Sequence, residues 1–184
     1  NIQLDEASTE CCGALTFHLT ELGKAKKTIQ NNIDSWYKKL SGSHEYLLVA
    51  SSGCSSFIKQ YSTIMQTNES YAEKAKFISE HCKDLSELAH ELNPRQANTE
   101  HKTVAFHSPC TLQHGQKILG YVEAKLQDAG YKLVSSNDPH LCCGSAGSYS
   151  LLQTKLSTQL LQDKLVKLEE KRPDIIATAN IGCL

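Results

Sequence analysis

Eight cysteines occur in this chain of 184 residues, and four of them stand in adjacent pairs. One pair opens Cys11-Cys12-Gly13-Ala14; the other lies in His140-Leu141-Cys142-Cys143-Gly144-Ser145-Ala146-Gly147. Neighbouring Cα atoms are only ~3.8 Å apart, so a disulfide within such a pair strains the backbone. Two neighbouring thiolates instead suit a metal cluster, because each can reach a different metal of one inorganic core. The pattern continues downstream in both copies. Ser52-Gly53-Cys54 places its cysteine 42 positions after Cys12, and Ile181-Gly182-Cys183 places its own 40 positions after Cys143. A unit of Cys-Cys-Gly, helix, strand and Gly-Cys is therefore repeated at nearly constant length.

Three chemistries fit such a cysteine set: structural disulfides, a metal or cluster site, and thiol redox chemistry without metal. Disulfide frameworks belong to small, loop-rich secreted chains, whereas this sequence is rich in long helical patterns. Four cysteines also satisfy zinc, but zinc sites typically use short Cys-x-x-Cys knuckles, which the sequence lacks.

The remaining composition narrows the function classes. With 19 basic and 20 acidic residues the net charge is −1, which gives no electrostatic case for nucleic acid. A hydrophobic share of 40% supports a sizeable core. No run of apolar residues is long enough to span a membrane, and no signal-peptide pattern is visible. The chain starts at Asn1 without a methionine and stops one residue after Cys183, which reads as a piece of a longer protein.

The elements that must position the cysteines follow from periodicity. Ala25, Ile29, Ile33, Trp36 and Leu40 share one helical face, ended by Ser41-Gly42-Ser43. A strand over 46–50 precedes Cys54, which opens a helix carrying Phe57, Ile58, Tyr61, Ile64 and Met65. Asn68 caps a helix over 69–80, and 84–92 supplies another. The polar stretch 93–100 is a surface loop and divides the halves, giving domains 1–95 and 96–184. The second half begins with strand 103–107, and Ser108-Pro109-Cys110 leads into a helix with inner face Leu112, Leu119, Val122, Leu126 and Ala129, stopped by Gly130. Strand 131–135 comes next, then a long helix over about 148–171 burying Leu152, Leu156, Leu160, Leu165 and Leu168, and finally strand 174–178. Strands alternating with helices indicate an α/β fold with a mainly parallel sheet flanked by helices, built from two pseudo-repeated halves.

This map puts Cys54, Cys110 and Cys183 just beyond strand ends, and Cys12 and Cys143 just before helices. Carboxyl ends of strands line the ligand crevice of open α/β sheets. Helix N-termini there lower thiol pKa and favour an anionic cluster. Cys110, Cys142, Cys143 and Cys183 can thus converge as four thiolates, the usual ligand set of an iron–sulfur centre. Cys11, Cys12 and Cys54 form a partial second site. Cys82 has no counterpart and reads as a small buried hydrophobe within a helical stretch. The histidines read mostly as surface residues, although His107 and His114 flank Cys110 and one could bond to or ligate a cluster. Gly144 to Gly147 could cradle a phosphate, but close backbone approach to a cluster suits Gly144 better.

At these residues the chain resembles the cysteine-rich CCG domain family, whose repeat runs Cys, a spacer, Cys-Cys-Gly, a second spacer and Cys; here 31 residues separate Cys110 from Cys142. Within it the chain is similar to the iron–sulfur subunits of glycolate oxidase (glycolate dehydrogenase). That likeness rests on Asn31-Asn-Ile-Asp-Ser-Trp36, Ala50-Ser-Ser-Gly-Cys54, His107-Ser-Pro-Cys-Thr-Leu-Gln-His114, His140-Leu-Cys-Cys-Gly-Ser-Ala-Gly-Ser-Tyr149 and Ala179-Asn-Ile-Gly-Cys183. It implies an iron–sulfur cluster of the [4Fe–4S] type, with two ferredoxin-type motifs in an upstream domain of the same full-length chain. It also implies an oxidoreductase subunit that passes electrons from an FAD-containing flavoprotein, which oxidises glycolate to glyoxylate, towards a membrane acceptor such as quinone. The location implied is cytoplasmic or peripheral on the cytoplasmic membrane. No residue of this chain is assigned acid–base catalysis, since substrate oxidation falls to the flavin partner, and the chain alone is not expected to be catalytic.

Two departures from the family pattern stand out. The first half lacks a leading cysteine, and neither half ends in Cys-x-x-Cys, since Phe57 stands where the second cysteine would follow Cys54. In relatives such as the heterodisulfide reductase subunit that extra cysteine helps to bind non-cubane clusters, so its absence implies a simpler electron-transfer centre. The rival readings are the corresponding subunit of a lactate or anaerobic glycerol-3-phosphate dehydrogenase, and a non-enzymatic zinc-binding or assembly module.

Overall fold

The computed structural model of the chain describes residues 11–42, 44–91 and 102–184. The expected division between 95 and 96 lies outside them. Contacts sort the described residues into two units: those up to Val49 with Cys54–Lys83, and Ala50–Gly53 with those of Asp84–Leu184. No helix among the described residues is long and apolar enough to cross a membrane.

The first unit is mainly helical. Helix α1 (Ala14–His18) follows the first Cys-Cys-Gly, and α2 (Leu22–Leu40) buries the expected face Ala25, Ile29, Ile33, Trp36 and Leu40. Strand β1 (Leu47–Val49) comes next. The single helix expected from Cys54 is two, α3 (Ser52–Ile58) and α4 (Tyr61–Ile64), so Cys54 sits inside the first turn rather than at the head. Helix α5 (Ala72–His81) begins later than expected, because Asn68 forms a turn ahead of it: its side chain accepts from Ser70 N–H at 3.2 Å and its carbonyl from Ala72 N–H at 2.8 Å. Cys82 then opens strand β2 (Cys82–Asp84), paired with β1, instead of lying in a helix. Its burial agrees with the reading as a small hydrophobe. The core gathers Ile29, Ile33, Trp36, Phe57, Tyr61 and Ile78, with the Trp36 and Tyr61 rings stacked at 6.2 Å.

The second unit is the α/β body. After α6 (Leu85–Glu91) come β3 (Thr103–His107), β4 (Lys132–Val134) and β5 (Ile175–Thr178), three parallel strands in the order β4-β3-β5. The register pairs Val104 with Leu133 on one side, and Val104 with Ile175 and His107 with Thr178 on the other. The central strand β3 buries Val104 and Ala105. Because all three strands run the same way, their carboxyl ends share one edge, and each is followed by a cysteine segment.

Two helix expectations require correction here. The helix expected from Cys110 is one π-helical turn, Thr111–Gly115, then irregular chain, then α7 (Tyr121–Asp128). Leu112 is buried, but Leu119 is 62% exposed, because the break after Gly115 puts it out of phase. Gly130, at φ +97°, does terminate α7. The expected long helix is α8 (Tyr149–Leu152) and α9 (Thr154–Glu169), broken at Gln153. The buried stripe of α9 is Ser157, Lys164 and Leu168, not the leucine row: Leu152 and Leu156 are exposed. The reason lies at Gly144, against which α9 packs so closely that a Cβ there would meet the Ser157 carbonyl, while Ser157 Oγ bonds the Gly144 carbonyl at 2.8 Å. That contact fixes the rotation of α9 and turns most of the leucines outward.

Candidate metal centre

Three segments meet at the carboxyl edge of the second-unit sheet. Beyond β3, Ser108-Pro109 leads to Cys110, which caps the π-helical turn with φ −56° and ψ −38°. Leu112 and Gln113 N–H both donate to the Pro109 carbonyl, and Gln113 Nε2 donates to the Ser108 carbonyl at 3.0 Å, so the segment presenting Cys110 is held from within. Such π-helical turns are rare and favour functional sites. Beyond β4 comes the loop holding Cys142 and Cys143. Beyond β5, the turn Ile181–Cys183 delivers the last cysteine.

No disulfide joins any of the eight cysteines. Cys110, Cys142, Cys143 and Cys183 are electrostatic neighbours. Burial pushes the Cys110 thiol up, and Cys142 and Cys143 push it further. Cys143 is held down to about 4, first by the Cys183 thiol beside it and then by His107 and the Ser145 backbone, against the opposing effect of burial. Cys183 is correspondingly pushed up by Cys143 and by burial, with Asn180 working the other way. Asn180 Nδ2 donates to Cys183 Sγ at 3.4 Å, and its Oδ1 accepts from Ser51 Oγ at 2.7 Å.

His107 ends β3 and is 3% exposed. One ring nitrogen of His107, Cys143 Sγ and Cys183 Sγ all lie within 4.8 Å of one another. Apart from the Cys143 thiol, neither ring nitrogen has a hydrogen-bond partner. His114, the other histidine flanking Cys110, is exposed, with its ring 5.7 Å from that of His140.

The Cys-Cys-Gly turn is fixed by backbone and helix together. Gly144 has φ +85°, and its N–H donates to Cys142 Sγ at 3.3 Å. Its carbonyl accepts from Ser157 Oγ at 2.8 Å. A Cβ at this position would collide with the Ser157 carbonyl and stand 3.1 Å from Leu160 Cβ. Gly144 thus also packs closely against α9. Lys164, one helical face further along, is 1% exposed and its Nζ donates to the carbonyls of Asp138 and Pro139, each at 3.2 Å. A buried ammonium beneath the cysteine loop places a positive charge near Cys110, Cys142 and Cys143, while burial draws its own pKa down. Ser157, Lys164, Asn180 and Gln113 escaped the sequence reading; a buried lysine in an amphipathic helix carries no local signature.

In the first unit, Cys11 is exposed and Cys12 buried. Gly13, at φ +88°, donates its N–H to Cys11 Sγ at 3.4 Å. Tyr61 Oη donates to the Cys12 carbonyl at 2.5 Å, and Asn32 Nδ2 donates to the Cys11 carbonyl at 3.0 Å. Cys12 is pushed far up by its neighbour Cys54 and by burial, which places Cys54 against it.

A model of the family described as "cysteine-rich domain" (CCG) matches residues 1–59 and 104–184. The chain belongs to the cysteine-rich CCG domain family. The matched segments hold seven of the eight cysteines and omit Cys82, in keeping with its different surroundings. The chain is 43% identical over 175 residues to the glycolate oxidase iron-sulfur subunit of Escherichia coli K12, covering 94% of this chain and 43% of that protein. It is 27% identical to the probable glycolate oxidase iron-sulfur subunit of Bacillus subtilis, covering 95% and 39%. It is 24% identical to lactate utilization protein A of Bacillus licheniformis, covering 95% and 72%. The chain therefore spans less than half the length of the two glycolate oxidase relatives.

Proposed function

We propose that this chain is the cysteine-rich part of an iron–sulfur oxidoreductase subunit, and that the subunit serves a glycolate oxidase. The observation that carries the reading is the set of cysteines at the carboxyl ends of three parallel strands. Cys110, Cys142, Cys143 and Cys183 are the protein ligands, and Cys11, Cys12 and Cys54 form a partial second site in the other CCG half; the halves are 1–95 and 96–184. The donor set suits the group: four thiolates, one of them already favoured as the anion, beside a buried imidazole. When bound, an iron–sulfur cluster of the [4Fe–4S] type supplies a one-electron carrier. The chain's own part is to hold the thiolates on a stiff sheet edge, to set a lysine ammonium behind the Cys142–Cys143 loop, and to keep Cys143 buried. Substrate chemistry then belongs to an FAD-containing partner that oxidises glycolate to glyoxylate, with electrons leaving through this subunit, at the cytoplasmic face of the membrane, to an acceptor such as quinone.

Anaerobic reconstitution with iron and sulfide tests the ligand set. The chain should develop the broad visible absorbance of thiolate-bound clusters, and Cys143→Ala should remove most of it. An unchanged spectrum in that variant rejects the assignment. Cys12→Ala should leave most of the absorbance in place. Glycolate turnover by the flavin-free chain with an artificial acceptor would overturn the division of labour. The likeness to lactate utilization protein A, of which the chain covers 72%, favours a second reading in which the flavoprotein substrate is lactate. Substrate assays on the co-purified flavoprotein separate the two.

A further inference from the structure

We infer that His107 is a direct nitrogen ligand of the second-unit metal centre, bound beside Cys143 and Cys183. The inference rests on the iron–sulfur reading above and exchanges one of its four thiolates for a donor that a cysteine-only site does not contain.

Three observations converge on this histidine. A ring nitrogen lies within 4.8 Å of both Cys143 Sγ and Cys183 Sγ, which are themselves no further apart. Among the described residues, no comparable trio forms around Cys11, Cys12 and Cys54. Second, His107 is 3% exposed and its ring nitrogens have no hydrogen-bond partner apart from the Cys143 thiol that one of them faces. Buried polar groups are almost always satisfied, and a buried imidazole whose sole polar neighbour is a thiol is poorly satisfied. A metal bound at the nitrogen facing the sulfurs satisfies it. Third, the ring is presented by a rigid support. His107 ends the central strand β3 and pairs in register with Thr178 of β5, so its direction is set by the sheet, as ligating residues require. His114 lacks these features, being exposed.

Nitrogen ligation has a chemical consequence. A four-iron cluster takes one protein ligand per iron, so with His107 bound beside Cys143 and Cys183 one of the other two cysteines, Cys110 or Cys142, leaves the ligand set. A neutral imidazole in place of that anionic thiolate makes the centre less negative and raises its reduction potential, as histidine ligation does in other iron–sulfur centres. The second-unit site would then be tuned upward by a residue outside the Cys-Cys-Gly pattern.

The experiment uses the whole chain labelled with 15N only in histidine, reconstituted anaerobically with ferrous iron and sulfide and chemically reduced to a paramagnetic state. Electron–nuclear double resonance should show the strong hyperfine coupling of a directly bonded 15N. The coupling should persist in His114→Ala and vanish in His107→Ala, or in His107→Phe if alanine prevents folding. The midpoint potential should move downward in the His107 variants and stay in place in His114→Ala. A cluster that forms normally but shows only the weak coupling of a hydrogen bond to sulfur, or a strong coupling that persists in the His107 variants, overturns the inference while leaving the iron–sulfur reading intact. Failure of the wild-type chain to assemble any cluster removes the iron–sulfur reading itself, and the ligation with it.

Discussion

In the first unit Gly13 sits at φ +88° and gives its N–H to Cys11 Sγ at 3.4 Å; in the second, Gly144 sits at φ +85° and gives its N–H to Cys142 Sγ at 3.3 Å. The two turns are locally alike, and in each the second cysteine shares a proton with the cysteine that closes its repeat, Cys54 or Cys183. The second cysteine of the first turn, Cys12, is pushed far up by Cys54 and by burial. Its counterpart Cys143 is held down to about 4 despite being buried, by Cys183 and His107. What differs is the surroundings. The second turn has a histidine at the end of β3 and a buried lysine behind its loop, whereas the first is braced by Tyr61 and Asn32, two neutral groups. The repeated turn therefore specifies backbone and thiol placement, and in each half the repeat's closing cysteine, Cys54 or Cys183, acts most strongly on the second thiol, with His107 acting beside it only in the second half.

The largest expected difference between the two turns is at their glycines. Gly144→Ala forces a left-handed conformation and drives a Cβ into the Ser157 carbonyl, and should cost about 2–5 kcal/mol. At Gly13 the nearest atom, Thr28 Cγ2, is 3.5 Å away, so Gly13→Ala should carry only the conformational cost of about 1–2 kcal/mol. Denaturant unfolding measures both, and equal losses would break the contrast.

Lys164→Met removes the two hydrogen bonds to Asp138 and Pro139 and should destabilise the chain by about 1–3 kcal/mol. It should also lower the yield of reconstituted cluster, measured as iron per chain; an unaltered yield would mean that the ammonium only props the loop. Ser157→Ala and Tyr61→Phe remove one buried hydrogen bond to each turn, and each should cost about 1–2 kcal/mol. Only Ser157→Ala should reduce iron per chain, and a matching loss in Tyr61→Phe would show that the first turn also contributes to the centre. The smallest effect belongs to Cys82→Ala, about 1 kcal/mol for a small buried side chain, with iron per chain unchanged.

The repeat made the cysteine pairs, their glycines and their partners at 54 and 183 legible without structure, because a fixed spacing between thiols survives any packing. Strand order along the chain likewise announced an α/β body, and the apolar row from Ala25 to Leu40 named its buried face correctly. Helical periodicity failed at Leu152 and Leu156, where a leucine row offers a plausible inner face but the contact between Gly144 and Ser157 sets a different one. The break at Gln153 and the π-helical turn after Cys110 were equally hidden, since each resolves a competition between local helix formation and the approach of neighbouring segments.

By itself, then, the sequence determined which atoms are available for metal chemistry and roughly where strands end, since residue identity and spacing are properties of the chain. The tertiary structure alone decided that β4, β3 and β5 run side by side with their cysteine segments at one edge. It also decided that His107 ends buried beside the sulfurs of Cys143 and Cys183, and that Lys164 points under the loop rather than into solvent. These are matters of distance and burial between residues far apart in sequence, and thiol pKa and ligand choice depend on them because both vary steeply with proximity and exclusion of water.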